Sequence, residues 1–139
     1  MTVDDDVVQG VQTVSPRATH AACTEARLLF EGDLEAARVV QQDIAMAAMA
    51  LGELLSNGVR HGKPFADGTL EVSWSLQDQT VHVAVRDAGV APRLEARLPE
   101  VDSATGRGLW MIAQVCQRWG VEQDDGTRVW AVFSATRRA

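Results

Sequence analysis

Cysteine pairs, membrane-length apolar runs and targeting signals are missing from this chain of 139 residues. The two cysteines, Cys23 and Cys116, form no CxxC pair, and each lies in an apolar helical pattern. We therefore expect two reduced core thiols rather than a metal or redox site. No apolar run reaches the ~20 residues that span a bilayer. The N-terminus has neither the basic nor the apolar region of a signal peptide, so a cytoplasmic protein without a membrane partner is expected.

Basic residues are also in short supply. Thirteen lysines and arginines stand against nineteen aspartates and glutamates, which gives a formal net charge of −6. An acidic surface repels the phosphates of nucleic acids and anionic lipids, so direct nucleic-acid binding is not expected and a protein or small-molecule partner is. The content of 46% hydrophobic and 23% charged residues, without an internal repeat, is typical of one globular domain. We expect that domain to cover residues 1–139, with a disordered tail at 1–6.

Hydrophobic periodicity and helix-end signals predict a fold with helices and strands. In chain order they predict a short strand over 7–14, a helix over 16–30, a central helix over 43–62, strands over 70–76 and 81–85, a helix over 108–118 and a last strand over 127–134. Ser15 and Pro16 are the expected start of the first helix, Gly32 and Asp33 its break, and Trp119 is expected on the last helix. The order predicts an α+β sandwich, with helices on one face of a mixed, mostly antiparallel sheet.

Three polar residues on the predicted central helix indicate a site. Glu53, Asn57 and His61 are spaced i, i+4 and i+8, so their side chains point the same way. The same face is apolar earlier, at Met46 and Met49, and the helix is expected to be largely buried. A buried carboxylate and amide need partners, and together they suit a divalent cation and a proton transfer. His61 is interpreted as a helix-end cap rather than a ligand.

Two glycine motifs follow on this framework. Asp87-Ala-Gly89 leaves the end of a strand, and such a motif alone is usually a turn. Gly106-Arg-Gly-Leu109 opens the last helix, where free N–H groups and the helix dipole favour a phosphate, although such a motif is often only a helix start. Residues 90–105 between them have two prolines and no sustained period, which predicts a loop.

In this order, Glu53-x-x-x-Asn57, Asp87-x-Gly89, a variable segment and Gly106-x-Gly108 resemble the GHKL ATPase superfamily. The resemblance covers residues from about 20 to 134. More narrowly, Glu53 to Gly62 and the ending Gly126-Thr-Arg-Val-Trp130 are similar to the stand-alone anti-sigma-factor serine kinases. The resemblance implies the Bergerat ATP-binding fold, the cofactors ATP and Mg²⁺, and an ATP lid over residues 90–105.

The resemblance also implies a role for each matching residue. Asn57 would ligate Mg²⁺, Glu53 would be the general base, and Asp87 would accept a hydrogen bond from the adenine amine. Gly89 would let the base lie close to the backbone, and Thr127 would support the adenine site through Asp87. Four residues would surround the phosphates at the helix N-terminus: Gly106, Arg107, Gly108 and Leu109.

The implied activity is that of a protein serine/threonine kinase and anti-sigma factor in transcription regulation. Its expected partners are a sigma factor and a small anti-anti-sigma (STAS-type) protein that it phosphorylates, and a homodimer is a further expectation. Two alternatives stay open, because no sequence motif reports turnover. One is a non-catalytic ATP-binding interaction module of the same fold, and the other is an ATP hydrolase that uses water as the acceptor.

Overall fold

The computed structural model describes residues 10–89, 104–123 and 125–139. Within these ranges lie three helices and five strands. In chain order they are β1 (Gln12–Val14), α1 (His20–Ala36), α2 (Gln41–His61), β2 (Glu71–Gln77), β3 (Thr80–Asp87), α3 (Ala104–Val115), β4 (Arg118–Gln123) and β5 (Thr127–Ser134). The predicted tail at 1–6 and most of the predicted lid, at 90–103, lie outside the described residues. No helix within those ranges is long and apolar enough to cross a bilayer.

The described strands form one sheet in the order β1-β2-β3-β5-β4, and each neighbouring pair is antiparallel. The predicted hairpin is β2 and β3, which turn at Asp78 and Gln79. The last strand was predicted over 127–134, and β5 has these bounds. Side chains alternate along β2 and β3, so that Val72, Trp74 and Val83 point into the core. The predicted α+β sandwich is confirmed.

The core lies between the sheet and the helices. The rings of Phe30 on α1 and Trp74 on β2 meet edge to face, with their centroids 5.4 Å apart. The Trp74 indole N–H donates to Oδ2 of Asp33 at 2.8 Å, so the polar end of this buried ring has a partner. On α2, Ile44, Leu51 and Leu55 are buried and belong to this core. These contacts place α2 in the middle of the helical layer, between α1 and α3.

Both predicted ends of the first helix are wrong. The helix begins at His20 instead of Pro16, and the Thr19 hydroxyl caps it by accepting from the Ala22 N–H at 3.2 Å. Pro16 cannot start it because its carbonyl accepts from the Leu70 N–H at 2.9 Å, which ties this segment to the entry of β2. The helix also continues past Gly32 to Ala36. A helical glycine costs only about 1 kcal/mol, and burial of Leu34 offsets it.

The central helix has the predicted extent within two residues, but one part of its predicted burial is wrong. The side chains of Met46 and Met49 are 36% and 44% exposed. The buried stripe is made by Ile44, Ala47, Leu51 and their neighbours, and the 100° rotation per residue turns both methionines toward solvent. The helix ends at His61, and Gly62 follows as its C-cap.

The last helix also differs from its prediction, and a strand was missed. The predicted helix over 108–118 is α3 (Ala104–Val115), and Trp119 lies in β4 instead of on a helix. In β4 the half-buried Trp119 and Val121 alternate with Gly120 and Glu122. The helical pattern appeared to extend because Val115, Cys116 and Trp119 also satisfy an i, i+4 spacing. The sheet overrides this local pattern, since β4 pairs along its length with β5.

Candidate functional site

The polar face of α2 begins with Glu53 and Asn57, one turn apart. The Glu53 side chain is half-buried, whereas Asn57 is buried with only 9% of its surface exposed. Its amide nitrogen, Nδ2, has no hydrogen-bond partner among the described residues. A buried amide without a partner costs about 1–3 kcal/mol. This unsatisfied donor is the main indication within the described chain that a ligand belongs beside α2.

Asp87 lies under the end of the same helix. It is the last residue of β3, is only 5% exposed, and its Oδ1 accepts from the Gly89 N–H at 2.6 Å. A Cβ atom added to Gly62 would lie 2.5 Å from Oδ2 of Asp87, so the α2 terminus and the carboxylate are in close approach. The Gly62 N–H in turn donates to the Asn57 carbonyl at 3.2 Å. The structure therefore brings the first two motifs to one end of the sheet.

Thr127 joins Asp87 directly in the sheet. The two residues are paired across β3 and β5, and Thr127 is fully buried. Its hydroxyl donates to the Gly89 carbonyl at 2.7 Å and accepts from the Gln123 amide at 2.6 Å. Thr127 is thus linked to the Asp87 motif through Gly89, and its support of an adenine site stays a prediction.

A turn at Asp125 and Gly126 supports this arrangement from the other side. Gly126 has φ +108°, and a Cβ atom there would collide with the Asp87 carbonyl oxygen. Arg86 holds the turn by donating to the Asp125 carbonyl at 2.5 Å and to Oε1 of Glu71 at 3.0 Å. The hydrogen bond with Glu71 raises the pKa of Arg86 above its usual value, so the guanidinium stays charged.

The third motif lies in α3. Gly106, Arg107, Gly108 and Leu109 occupy the first two turns of this helix, which begins at Ala104 instead of at the glycines. A glycine lowers helix propensity without forbidding the helical backbone, so the glycine pair did not mark the first residue. Because α3 packs against α2, the motif belongs to the helix beside the one that carries Glu53 and Asn57. His61 is exposed in the last turn of α2.

Two residues at this end of the sheet were not predicted as site residues. Gly62 was predicted only as a helix end, although its contact with Asp87 requires a residue without a side chain. Gln123 was not singled out, and its position depends on β4, the strand that periodicity missed. A glycine directly after a polar helical face could have indicated the first residue. No local pattern indicates the second.

Comparison with known protein families decides what this arrangement is. A sequence profile of the histidine kinase-like ATPase domain matches residues 16–133, which include each of the three motifs. The chain belongs to the histidine kinase-like ATPase family. The predicted resemblance to the GHKL superfamily is confirmed, and the family implies a nucleotide-binding role for this histidine kinase-like ATPase domain.

A solved structure agrees on the fold. The histidine kinase-like ATPase domain is similar to the crystal structure of the RsbU and RsbW domains of Rv1364c from Mycobacterium tuberculosis, with a TM-score of 0.66 and 21% sequence identity. The match covers 93% of this chain and 33% of the solved one, so the chain spans about a third of that relative. At this identity the likeness shows the fold alone. No curated protein matches the chain.

The close approach of Gly62 to Asp87 leads to a stability prediction. Gly62→Ala is expected to lower the free energy of unfolding by about 1–3 kcal/mol, because the new methyl group has to displace the buried carboxylate. Gly32→Ala is the control, since nothing lies within 4 Å of a Cβ atom at that exposed helical position. It is expected to raise the same free energy by about 0.5–1 kcal/mol. Urea denaturation of both variants measures the difference, and a Gly62→Ala protein as stable as Gly32→Ala would contradict it.

Proposed function

We propose that this domain is an ATP-dependent protein serine kinase that also acts as an anti-sigma factor. It binds a sigma factor and transfers the γ-phosphoryl group of ATP to a serine of a small anti-anti-sigma protein of the STAS type. Membership in the histidine kinase-like ATPase family supports ATP as the bound nucleotide. The fold shared with a solved chain that contains an RsbW domain supports the proposed assignment to the anti-sigma kinases. The ordered motifs of the sequence carry the resemblance to the anti-sigma kinases.

The observation that carries the proposal is the buried, unsatisfied amide of Asn57. A phosphate oxygen is an acceptor that would satisfy Nδ2, and the amide oxygen on the same side chain is a ligand that Mg²⁺ prefers. The described residues contain no group of three His, Cys, Asp or Glu side chains that could hold a metal by themselves. This fits Mg²⁺, which is usually bound through one or two protein oxygens together with substrate phosphates.

Each motif has one task in the proposed transfer. The Asp87 carboxylate accepts a hydrogen bond from the adenine amine and rejects the carbonyl oxygen of guanine. The N-terminal end of α3, which begins at Ala104 and carries Gly106 to Leu109 in its first two turns, offers free N–H groups and the positive end of the helix dipole to the phosphates. Mg²⁺ held with Asn57 would supply neutralisation of the phosphate charge.

Glu53 moves the proton. Its carboxylate takes the proton of the acceptor serine hydroxyl while the serine oxygen forms a bond to the γ-phosphorus, and the bond from that phosphorus to the ADP oxygen breaks. The products are phosphoserine, ADP and a protonated Glu53, which returns its proton to solvent. The half-buried position of Glu53, one turn before Asn57, supports this role, because part of the residue remains accessible to solvent and therefore to a substrate.

The surface of α1 supports a protein partner. Leu28 and Leu29 are 55% and 58% exposed, so α1 presents two adjacent apolar side chains to solvent, and contiguous exposed apolar surface is typical of protein interfaces. Arg27 on the same helix packs toward Gly52 on α2 and forms an ion pair with Glu31, with Nε 3.4 Å from Oε2. Arg17 is exposed before α1. The proposed contact of the sigma factor or the STAS-type protein is therefore with the exposed surface of α1 that carries Leu28 and Leu29.

Incubation with γ-labelled ATP and candidate acceptor proteins tests the proposal. The expected result is label on a serine of a STAS-type protein, together with a complex between the domain and a sigma factor. Label released as inorganic phosphate without transfer would replace the kinase with an ATP hydrolase. ATP binding without transfer or release would leave a non-catalytic interaction module, and failure to bind ATP at all would overturn the proposal.

A further inference from the structure

Three side chains form one row across the end of the sheet under α2. Asp87 is paired with Thr127, and Thr127 is paired with Gln123. Directly paired residues of antiparallel strands project from the same face of a sheet, so the three side chains follow one another from the centre toward the edge. Asp87 and Thr127 are buried, whereas Gln123 is exposed at the edge strand β4.

The contacts of Gln123 fix the direction of each hydrogen bond in the row. Its Nε2 lies 3.0 Å from the Gly126 carbonyl and 2.6 Å from Oγ1 of Thr127. A carbonyl oxygen only accepts, so the atom that faces it is the amide nitrogen, which donates one N–H to each neighbour. The Thr127 hydroxyl faces the Gly89 carbonyl, another acceptor, and donates its own proton there. A single pattern fits, in which Gln123 donates to Thr127 and Thr127 donates to Gly89.

This pattern holds Gly89 at both of its backbone polar groups. Its carbonyl accepts from Thr127, and its N–H donates to Oδ1 of Asp87 at 2.6 Å. The direction in which the Asp87 carboxylate points is therefore coupled, through Gly89 and Thr127, to a donor on the edge strand. Gln123 acts on this row through its contacts with Thr127 and the Gly126 carbonyl.

We infer that Gln123 is a positioning residue that sets the adenine preference of the site. This inference rests on the proposed function. It works by N–H donation, which leaves the Thr127 proton free for Gly89. A carboxylate at position 123 cannot donate, and it would accept the Thr127 proton itself. Gly89 would then lose its carbonyl partner, and the Asp87 carboxylate would lose its fixed direction.

The test is Gln123→Glu, titrated with Mg-ATP and with Mg-GTP at pH 8. The variant is expected to bind ATP about tenfold more weakly, equivalent to about 1.4 kcal/mol. GTP has no amine for Asp87 at this position, so its affinity should fall much less, and the ATP-to-GTP preference should fall with the ATP affinity. An added charge that merely repelled nucleotides would weaken both equally. The preference thus separates positioning from repulsion.

The pH dependence gives a second readout that a structural role would not move. A protonated glutamic acid donates one hydrogen bond, whereas the Gln123 amide donates two, so the protonated acid can restore the donation to Thr127. The Gly126 carbonyl oxygen, which only accepts, disfavours a carboxylate beside it and raises the pKa of that carboxyl group above its ordinary value of about 4.3. The binding defect of Gln123→Glu should therefore shrink as the pH falls from 8 to 5, while the adenine preference of the wild type stays constant.

Gln117→Glu is the matched control. Gln117 also donates its amide to a hydroxyl of β5, to Ser134 at 3.1 Å, but at the opposite end of that strand. It should leave the ATP-to-GTP preference unchanged. Two further variants, Gln123→Met and Thr127→Val, remove the donors of the row without adding charge. Each should also lower the ATP-to-GTP preference, and they replace Gln123→Glu in the test if that variant does not fold.

Two results would count against these ideas, and they are distinguishable. A wild type that binds ATP over GTP, together with folded Gln123 variants that keep the same preference at each pH, would overturn the role of Gln123 alone. A wild type that binds no ATP, or binds GTP equally well, would overturn the proposed adenine site itself.

Discussion

Glu53→Gln is expected to slow phosphoryl transfer by roughly 10²–10⁴-fold while ATP binding stays within a few-fold of the wild type. A general base acts on the proton in the transition state and adds little to ground-state affinity. The amide has nearly the same shape as the carboxylate, so the half-buried position on α2 should accept it without disturbing Asn57. Single-turnover transfer to the acceptor protein, together with a separate ATP titration, measures the two effects.

Asp78→Asn is the control for this removal of a carboxylate. Asp78 is exposed in the turn between β2 and β3, at the end of the hairpin opposite to Asp87. Its φ of 52° is a left-handed conformation that asparagine also accepts, so transfer and binding should both stay at the wild-type level. Transfer by Glu53→Gln at the wild-type rate would remove Glu53 from the mechanism.

Asn57→Ala is expected to abolish the gain in ATP affinity that Mg²⁺ provides. Loss of a hydrogen bond to a charged group and of a metal ligand at a buried position should cost about 1.5–3 kcal/mol, or roughly 10- to 150-fold in affinity. Asn57→Asp keeps an oxygen ligand at this position and is expected to keep the dependence on Mg²⁺. Calorimetric titration with ATP in Mg²⁺ and in EDTA measures the difference, and an Asn57→Ala protein that Mg²⁺ still tightens would contradict the metal assignment.

The motif residues of the site could be predicted because each motif is local. Glu53 and Asn57 need only the helical repeat to share a face, and Asp87-x-Gly89 needs only a strand end and a turn. The hairpin of β2 and β3 and the strand β5 were predictable for the same reason, since alternation of apolar side chains is strong in each. The spacing on α2 alone also predicted that Asn57 would be buried and need a partner.

The remaining features depend on contacts between distant parts of the chain. The start of α1 is shifted because Pro16 bonds to Leu70, and its continuation past Gly32 depends on burial against the sheet. β4 exists because it pairs with β5, in a segment whose own spacing also suits a helix. Gln123 could not be found without that strand. Helix ends and edge strands are where tertiary contacts most easily outweigh local propensity.

The most direct measurement uses the fact that Asn57 is the only asparagine of the chain. A protein labelled with ¹⁵N-asparagine shows one pair of side-chain amide signals, which report on the buried Nδ2. Titration with Mg-ATP is expected to shift this pair strongly, and ATP in EDTA is expected to shift it to a different position. Nucleotide binding that leaves the Asn57 amide signals unchanged would contradict a nucleotide site beside α2.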